Sequence, residues 1–196
     1  MEPTDSVYVL VCDIGGTNLR SSLIEINPIT KVHKIIKSEK HITNQYPSFH
    51  DFYTSKFLKG ISKQFEPKLA VLGIAGVVFD NKADMTHIKW KKIDGNELAK
   101  ELKLSKIVLI NDLEAIALGI TTLDECDITE INEAIPSKNK SMLVICPGTG
   151  FGAAFLVPDL KGENSYDVWP SEAGHSNQGP TKGLQNEFYQ YLKYYF

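Results

Sequence analysis

Hydrophobic and polar positions in the first part of the chain predict three strands followed by a helix. Residues 7–13, 18–26 and 31–42 form short apolar runs or alternate apolar with polar residues, which is typical of strands. Ser48 and Asp51 fit the capping pattern of a helix start. The apolar residues that follow recur at helical spacing, and they are Phe49, Phe52, Tyr53, Phe57, Ile61 and Phe65.

Two strand–helix pairs are predicted before residue 124. Between the strand and the helix of the first pair, residues 77–90 look irregular, with residues typical of a turn at Asp80-Asn81. Residues 107–110 are wholly apolar, which predicts a strand buried on both faces. The four predicted elements are a strand at 68–75, a helix that Asp94 caps with Glu97 at the box position, a strand at 107–110 and a helix at 113–123. The first half therefore has the order βββαβαβα.

The second half begins the same order again. Strands are predicted at 142–146, at 151–157 and near 167–169, and a helix at about 181–196. The second half has no counterpart of the last βαβα part of the first half. The sequence thus predicts an α/β fold with a duplicated βββαβαβα unit whose second copy is incomplete. We expect a small N-terminal domain at 1–123 and the truncated start of a larger domain at 124–196, with the polar, acidic stretch 124–141 as the connection.

Composition narrows the class of protein. The 196 residues are 42% hydrophobic, which is ample for a core, and the net charge of −3 gives no signal for nucleic acid or an anionic membrane. No apolar run approaches the roughly 20 residues of a membrane span. The acidic residues 1–5 are unlike a secretory leader, and three cysteines without metal-type spacing suit reduced thiols. These features predict a cytoplasmic protein.

Two glycine turns carry the strongest chemical signal. The first reads Asp13-Ile14-Gly15-Gly16-Thr17-Asn18 and the second Pro147-Gly148-Thr149-Gly150, each between two apolar strands. Neither the Rossmann nor the P-loop spacing is present at the first turn, and the residues after it predict a strand, not a helix. Glycine lets backbone N–H groups approach an anion closely. Two such turns can hold one polyphosphate, although each can also be a hairpin without a ligand.

Polar residues beside predicted elements supply three further candidates. Asn111-Asp112 follows a buried strand, where an aspartate can accept a proton from a substrate hydroxyl or simply cap the next helix. Glu172 and His175 lie on a Gly- and Pro-flanked loop, which suits hydrogen bonding to sugar hydroxyls or a solvated loop. Asp13 can hold Mg²⁺ through water beside phosphates, or bond its own turn.

Together these motifs resemble a known family. Asp-Ile-Gly-Gly-Thr-Asn at 13–18, Ile-Asn-Asp at 110–112, Pro-Gly-Thr-Gly-Phe-Gly at 147–152 and Ser-Glu-Ala-Gly-His at 171–175 are similar, in this order, to motifs of the bacterial-type glucokinases. The likeness spans residues 7–196. It implies the ribonuclease H-like fold of the hexokinase and actin-like ATPase superfamily, which is itself a duplicated βββαβαβα fold.

The resemblance implies a role for each matching residue. Asp112 would be the general base for the glucose 6-hydroxyl. Asp13, in the N-terminal domain, would face Mg²⁺ and the phosphates of ATP. The remaining implied contacts are sugar hydroxyls on Asn111, Glu172 and His175, and nucleotide phosphates on Gly15, Gly16, Thr17, Asn18, Gly148, Thr149 and Gly150. The family implies ATP-dependent phosphorylation of glucose or a related hexose in glycolysis. Homodimers are common in such families, though no residue here marks an interface.

Three departures from the family pattern keep alternatives open. His87 stands where the family usually has Asn, and Pro147 lacks a backbone donor in the second turn. The chain also ends where the family continues into another sugar-binding glutamate and an adenine-side glycine motif. The 196 residues alone are therefore expected to have weak or no activity. The alternatives to a glucokinase are a sugar- or nucleotide-binding remnant without catalysis, and a kinase for another hexose such as an N-acetylated one. No cysteine follows His175, so the zinc-containing ROK-type kinases fit less well.

Overall fold

A computed structural model describes residues 6–85, 88–90, 92–133, 135, 137, 140–147, 151–159, 165–171 and 183–195. The chain divides into two compact units, 1–136 and 137–196. The domain boundary expected at 123/124 stays a prediction. No helix in the described part of the chain is long and apolar enough to cross a membrane.

The first unit is built on a five-stranded mixed sheet. Its strand order is β3-β2-β1-β4-β8, in which β1, β2 and β3 form an antiparallel meander while β4 and β8 run parallel to β1. The strands of this sheet are β1 (Val7–Ile14), β2 (Asn18–Ile26), β3 (His33–Ile42), β4 (Leu69–Ile74) and β8 (Lys106–Asn111). The helices are α1 (Phe49–Phe52), α2 (Gly95–Glu101) and α3 (Asp112–Ile120). The βββαβαβα order predicted for this half is confirmed.

Alternation along the strands separates the two faces of the sheet. Leu10, Cys12 and Ile14 of β1 are buried on one face in the same core as Leu72 of β4. Asp13, between two of these core residues, lies on the opposite face and is exposed. That opposite face carries α3, because a Cβ on Gly73 of β4 would lie 3.8 Å from the Cβ of Ala115 in α3. The sheet therefore has helices on both faces.

The predicted long helix after Ser48 is shorter than expected. Ser48 does cap it, since its Oγ accepts from the Asp51 N–H at 3.1 Å. After α1 the chain widens into a π-helical turn at Tyr53–Phe57 and tightens into a 3₁₀ turn at Leu58–Gly60. The wider turn brings Phe52 and Phe57, five residues apart, into the same core. Helical spacing alone did not predict this change of pitch.

The segment expected to be loose contains a second, smaller sheet. Strands β5 (Val78–Phe79), β6 (Lys82–Asp84) and β7 (Lys92–Asp94) are antiparallel in the order β5-β6-β7. Asp80 and Asn81 form the two-residue turn between β5 and β6 with φ of 49° and 56°, the left-handed geometry that such hairpins favour. The turn was predicted, but the short strands around it were not.

Asn81 attaches this small sheet to the edge of the large one. Its Nδ2 donates to the Ile107 carbonyl at 2.9 Å, and its Oδ1 accepts from the Leu109 N–H at 2.8 Å. β8 ends the described strand order, so these bonds satisfy polar groups of an edge strand. A Cβ at Gly95 would come within 2.5 Å of the Asn81 amide, which explains a glycine at the start of α2.

The burial predicted for β8 on both faces is only partly correct. Ile107 and Leu109 are buried in the core, whereas Val108 and Ile110 on the other face are intermediate. The difference follows from the edge position of β8 and from the short α3 that covers that face. The predicted cap of α2 is correct, because Asp94 accepts from the N–H groups of Asn96 and Glu97 at 2.9 and 3.1 Å.

In its described residues, the second unit contains a three-stranded antiparallel sheet and one helix. Strands β9 (Met142–Pro147), β10 (Phe151–Pro158) and β11 (Tyr166–Ser171) lie in the order β11-β10-β9, and α4 spans Leu184–Tyr195. This meander repeats the β3-β2-β1 order of the first unit. The duplicated βββα start predicted from the sequence is confirmed.

Candidate active site

Three parallel strands of the first unit end at the same edge of the sheet. In the register, Ile14 at the end of β1 pairs with Ile74 of β4, and Ile74 pairs with Asn111 of β8. The glycine turn follows the first of these strands, and Asp112 follows the last. Parallel pairing thus brings two of the predicted motifs to one edge, where ligands bind in open α/β sheets.

The first glycine turn leaves donors available to a ligand. The Gly15 N–H closes the turn by donating to the Asn18 carbonyl at 2.9 Å. Within the described part of the chain, the N–H groups of Gly16 and Thr17 have no backbone partner, and Thr17 is exposed. Backbone N–H groups in a concave turn bind anions, and a threonine hydroxyl adds a donor. The turn therefore fits the phosphates that the sequence predicts for it.

The N-cap of α3 is Asn111 and not Asp112. Its Oδ1 accepts from the N–H groups of Leu113 and Glu114 at 3.0 and 3.2 Å. Its Nδ2 donates to the Gly76 carbonyl at 2.9 Å, which ties α3 to the chain after β4. Because Asn111 caps α3, Asp112 is not needed as the N-cap.

Asp112 is a partly buried carboxylate in the first turn of α3. Burial raises the pKa of Asp112, and the nearby negative charge of Asp13 raises it further. The Leu113 N–H, which donates to Asp112 Oδ1 at 2.9 Å, opposes the rise by stabilising the charged form. A carboxylate with a raised pKa binds a proton more strongly than an ordinary one, which suits a general base.

Asp13 faces Arg20 across the hairpin. The two residues are register partners in β1 and β2, and the Arg20 Nη1 lies 3.4 Å from Asp13 Oδ2. Both side chains are more than half exposed, so the pair is open to a ligand. An exposed carboxylate beside a turn with free N–H groups fits a hydrated Mg²⁺ and its phosphates. In the described residues, this site included, no group of three or more His, Cys, Asp or Glu side chains is arranged to hold a metal ion.

The remaining predicted site residues lie outside the described residues. They are Gly148, Thr149 and Gly150 of the second turn, Glu172 and His175 of the following loop, and His87. Their roles stay predictions. β9 and β10, which flank the second turn, form the predicted hairpin, with Pro147 paired to Phe151.

Sequence reasoning missed three residues that hold the site together. Arg20 pairs with Asp13, Gly76 accepts from Asn111, and the buried Thr43 hydroxyl donates to the Gly15 carbonyl at 2.9 Å. Only Arg20 had a usable signal, because a tight turn between two strands places it opposite Asp13. The contacts of Gly76 and Thr43 join segments that are far apart in the chain.

A cavity of about 1120 Å³ opens beside the site. Its walls are apolar at Ala75, Val77 and Phe79 and charged at Lys82 and Asp94. It reaches Gly76, the partner of Asn111, but neither Asp13 nor Asp112 lines it. The cavity is therefore adjacent to the carboxyl edge of the sheet and distinct from the pair of carboxylates.

Comparison with known proteins places the chain among sugar kinases. The glucokinase family model matches residues 10–196. A glucokinase from Nostoc sp. is 33% identical over 184 residues, covering 94% of this chain and 52% of that protein. The crystal structure of a glucokinase from an Antarctic psychrotroph superposes with a TM-score of 0.78 at 27% identity, covering 95% of this chain and 56% of that one.

A glucokinase from Balamuthia mandrillaris shares the fold, with a TM-score of 0.67 at 23% identity over 99% of this chain and 56% of that one. The chain spans about half the length of the curated relatives it matches.

Proposed function

The chain belongs to the glucokinase family, and from that premise we propose that the protein transfers a phosphoryl group from ATP to the 6-hydroxyl of glucose. The observation that supports this most is the pairing of two motifs at one sheet edge. Asp13 lies at the end of β1 and the glycine turn follows it, while Asp112 follows β8, where the charge of Asp13 raises its pKa. A phosphate-binding turn and a base on one edge are the parts that phosphoryl transfer to a hydroxyl needs.

Asp112 acts as the general base in this proposal. Its carboxylate accepts the proton of the sugar hydroxyl as the hydroxyl oxygen takes up the phosphoryl group. The fixed start of α3 holds the carboxylate in place, because Asn111 caps the helix and is itself bonded to Gly76. By family resemblance, Asn111 also contacts a sugar hydroxyl. Glu172 and His175 contact other sugar hydroxyls, as the family resemblance implies.

The glycine turn binds the nucleotide. The N–H groups of Gly16 and Thr17, with the Thr17 hydroxyl and Asn18, contact phosphate oxygens, and Gly148, Thr149 and Gly150 contact them from the second turn. Asp13 holds Mg²⁺ through water. When bound, ATP supplies the phosphoryl group and Mg²⁺ neutralises charge that develops on it. Closure of the protein over the sugar would exclude water and so limit hydrolysis of ATP.

A coupled assay of ADP release with a panel of sugars tests the reaction. We expect glucose to give the highest kcat/KM, ahead of mannose and N-acetylglucosamine. A preference for the N-acetylated sugar would identify a kinase for another hexose. Glucose binding without release of ADP would indicate a sugar-binding protein without catalysis, and absence of both would contradict the proposal.

Replacement of the base tests the mechanism. Asp112→Ala is expected to lower kcat by about 10²- to 10⁴-fold, since general-base catalysis contributes about that much. The affinity for glucose should change little, because the other sugar contacts remain. Glu114→Ala, which removes a carboxylate from the same turn of α3, is the matched control and should keep kcat. An Asp112→Ala protein that retains most of its kcat would reject the assignment.

A further inference from the structure

Thr43 is a buried polar residue beside the glycine turn that the proposed mechanism does not use. It follows β3 directly and begins a 3₁₀ turn at Thr43–Gln45, and no part of it is exposed to solvent. Its N–H donates to the Thr17 carbonyl at 3.0 Å, and its carbonyl accepts from the Tyr46 N–H at 3.2 Å. With the hydroxyl bond to Gly15, all three polar groups of Thr43 are satisfied, as buried groups normally are.

The hydroxyl bond fixes the orientation of one peptide group in the turn. The Gly15 carbonyl and the Gly16 N–H belong to the same planar trans peptide, so they point in opposite directions. Because the Gly15 carbonyl is directed at the Thr43 hydroxyl, the Gly16 N–H is directed away from the protein segment that carries Thr43. This N–H is one of the two that have no backbone partner in the described part of the chain.

The Thr17 carbonyl is held in the same way. Since the Thr43 N–H donates to it, both carbonyls that flank the turn are directed toward one residue. With these two carbonyls held by Thr43, neither of them is free to turn toward a ligand at the Gly16 N–H. Such an arrangement favours an anion, because carbonyl oxygens facing a phosphate would repel it.

We propose that Thr43 is a positioning residue for nucleotide phosphates: its hydroxyl holds the Gly15–Gly16 peptide so that the Gly16 N–H faces the phosphate. This role rests on the proposed function, because it assumes that the glycine turn binds ATP. Thr43 does not touch the ligand. It acts through the turn, so loss of its hydroxyl weakens nucleotide binding and leaves the affinity for the sugar unchanged.

Thr43→Val removes the hydroxyl, preserves the shape of the side chain and keeps the backbone N–H. With the 196-residue chain, isothermal titration is expected to give a Kd for ATP with Mg²⁺ about 10-fold higher than the wild type, the usual effect of one lost hydrogen bond. The Kd for glucose should stay within about 2-fold, and Thr43→Ser should restore the ATP Kd to within about 3-fold.

Ser21→Ala is the matched control. Ser21, on β2, also carries a buried hydroxyl, and its Oγ lies 3.3 Å from His41 Nε2. Its replacement should leave the ATP Kd unchanged. An equal loss of ATP affinity in Ser21→Ala and Thr43→Val would show a general loss of structure and overturn the positioning role.

The outcomes separate the two proposals. A wild-type chain that is folded but does not bind ATP contradicts the proposed function and this inference with it. A wild-type chain that binds ATP while Thr43→Val binds it equally well contradicts the role of Thr43 alone.

If Thr43→Val does not fold, Thr43→Ala replaces it in the same titrations. The amide resonance of Gly16 in the wild type is a second test. We expect ATP to shift it, and a resonance that ATP leaves unmoved would overturn the inference.

Discussion

The two units start with the same βββ meander but differ in how far their apolar residues are covered. In the first unit, Leu10, Leu72 and Ile74 are fully buried between the sheet and its helices. In the second unit, Leu143, Phe155 and Trp169 are about half exposed or more, and no residue of α4 is buried. The same strand pattern in the sequence therefore does not imply the same burial. A core forms only where another layer covers the sheet.

This difference predicts that most of the stability resides in the first unit. Its carboxylates, capped helix and glycine turn are attached to a sheet with layers on both faces, which gives them fixed positions. Among the residues described in the second unit, four apolar ones are buried, namely Val144, Ala153, Ala154 and Leu156. We therefore expect substitutions in the first unit to change the free energy of unfolding, and matched substitutions in the second unit to change it little.

The largest expected difference concerns matched leucines. Leu72→Ala in the central strand β4 should lower the free energy of unfolding by about 2–5 kcal/mol, because it opens a cavity in the core. Leu143→Ala on β9, where the side chain is 55% exposed, should change it by less than about 1 kcal/mol. Urea denaturation followed by Trp90 fluorescence in a Trp169→Phe background measures both. Similar losses in the two variants would contradict the contrast between the units.

A pair of asparagines gives an intermediate effect. Asn81→Ala removes both bonds to the backbone of β8 and should cost about 1–3 kcal/mol, since it leaves buried polar groups unsatisfied. Asn186→Ala, on the exposed α4, should stay within about 0.5 kcal/mol. The same denaturation assay compares them. A cost for Asn81→Ala as small as that for Asn186→Ala would show that the small sheet does not depend on this attachment.

The smallest expected effect concerns the charge on Asp112. Its pKa is raised in the folded protein, so the folded protein holds a proton over a pH window in which the unfolded chain has lost it. Stability therefore falls as pH rises through that window, from the ordinary pKa of an aspartate to the raised one. At pH 7 this loss of stability is complete. Asp112→Asn removes the charge and should therefore raise Tm by about 1–2 °C.

The gain from Asp112→Asn should disappear when the pH is lowered below about 3, where the carboxyl is protonated in both states. Asp167→Asn, at an exposed position of β11, is the control in the second unit and should leave Tm unchanged at both pH values. Scanning calorimetry at the two pH values measures these shifts. A Tm that falls at pH 7 in Asp112→Asn would mean that the carboxylate stabilises the fold.

Local patterns were sufficient to predict the longer strands, their order along the chain and the caps of α1 and α2. The runs around Leu10 and Leu72 predicted β1 and β4, and Asp94 predicted the start of α2, because each of these signals acts within a few residues. The π-helical turn at Tyr53–Phe57 was not predictable in this way, since it depends on how its aromatic side chains meet the sheet. The small sheet after β4 was missed because its strands are only two or three residues long.

The candidate site was predictable as separate motifs, and its assembly was not. Asp13 and Asp112 were chosen by their positions beside strands. The parallel pairing of β1, β4 and β8 explains why they lie at the same edge of the sheet. The buried hydroxyl of Thr43 acts on Gly15 from 28 residues away, so no local pattern could indicate it. Long-range hydrogen bonds of this kind appear only once the fold is known.

The central claim is that the glycine turn after β1 and the helix start after β8 form one site. The most direct test is the pKa of Asp112, measured by a carboxyl-carbon NMR titration in the wild type and in Asp13→Asn. Removal of the Asp13 charge should lower the pKa of Asp112 while burial still holds it above the ordinary value. An Asp112 pKa that is the same in both proteins would show that the two carboxylates do not interact and would contradict the claim.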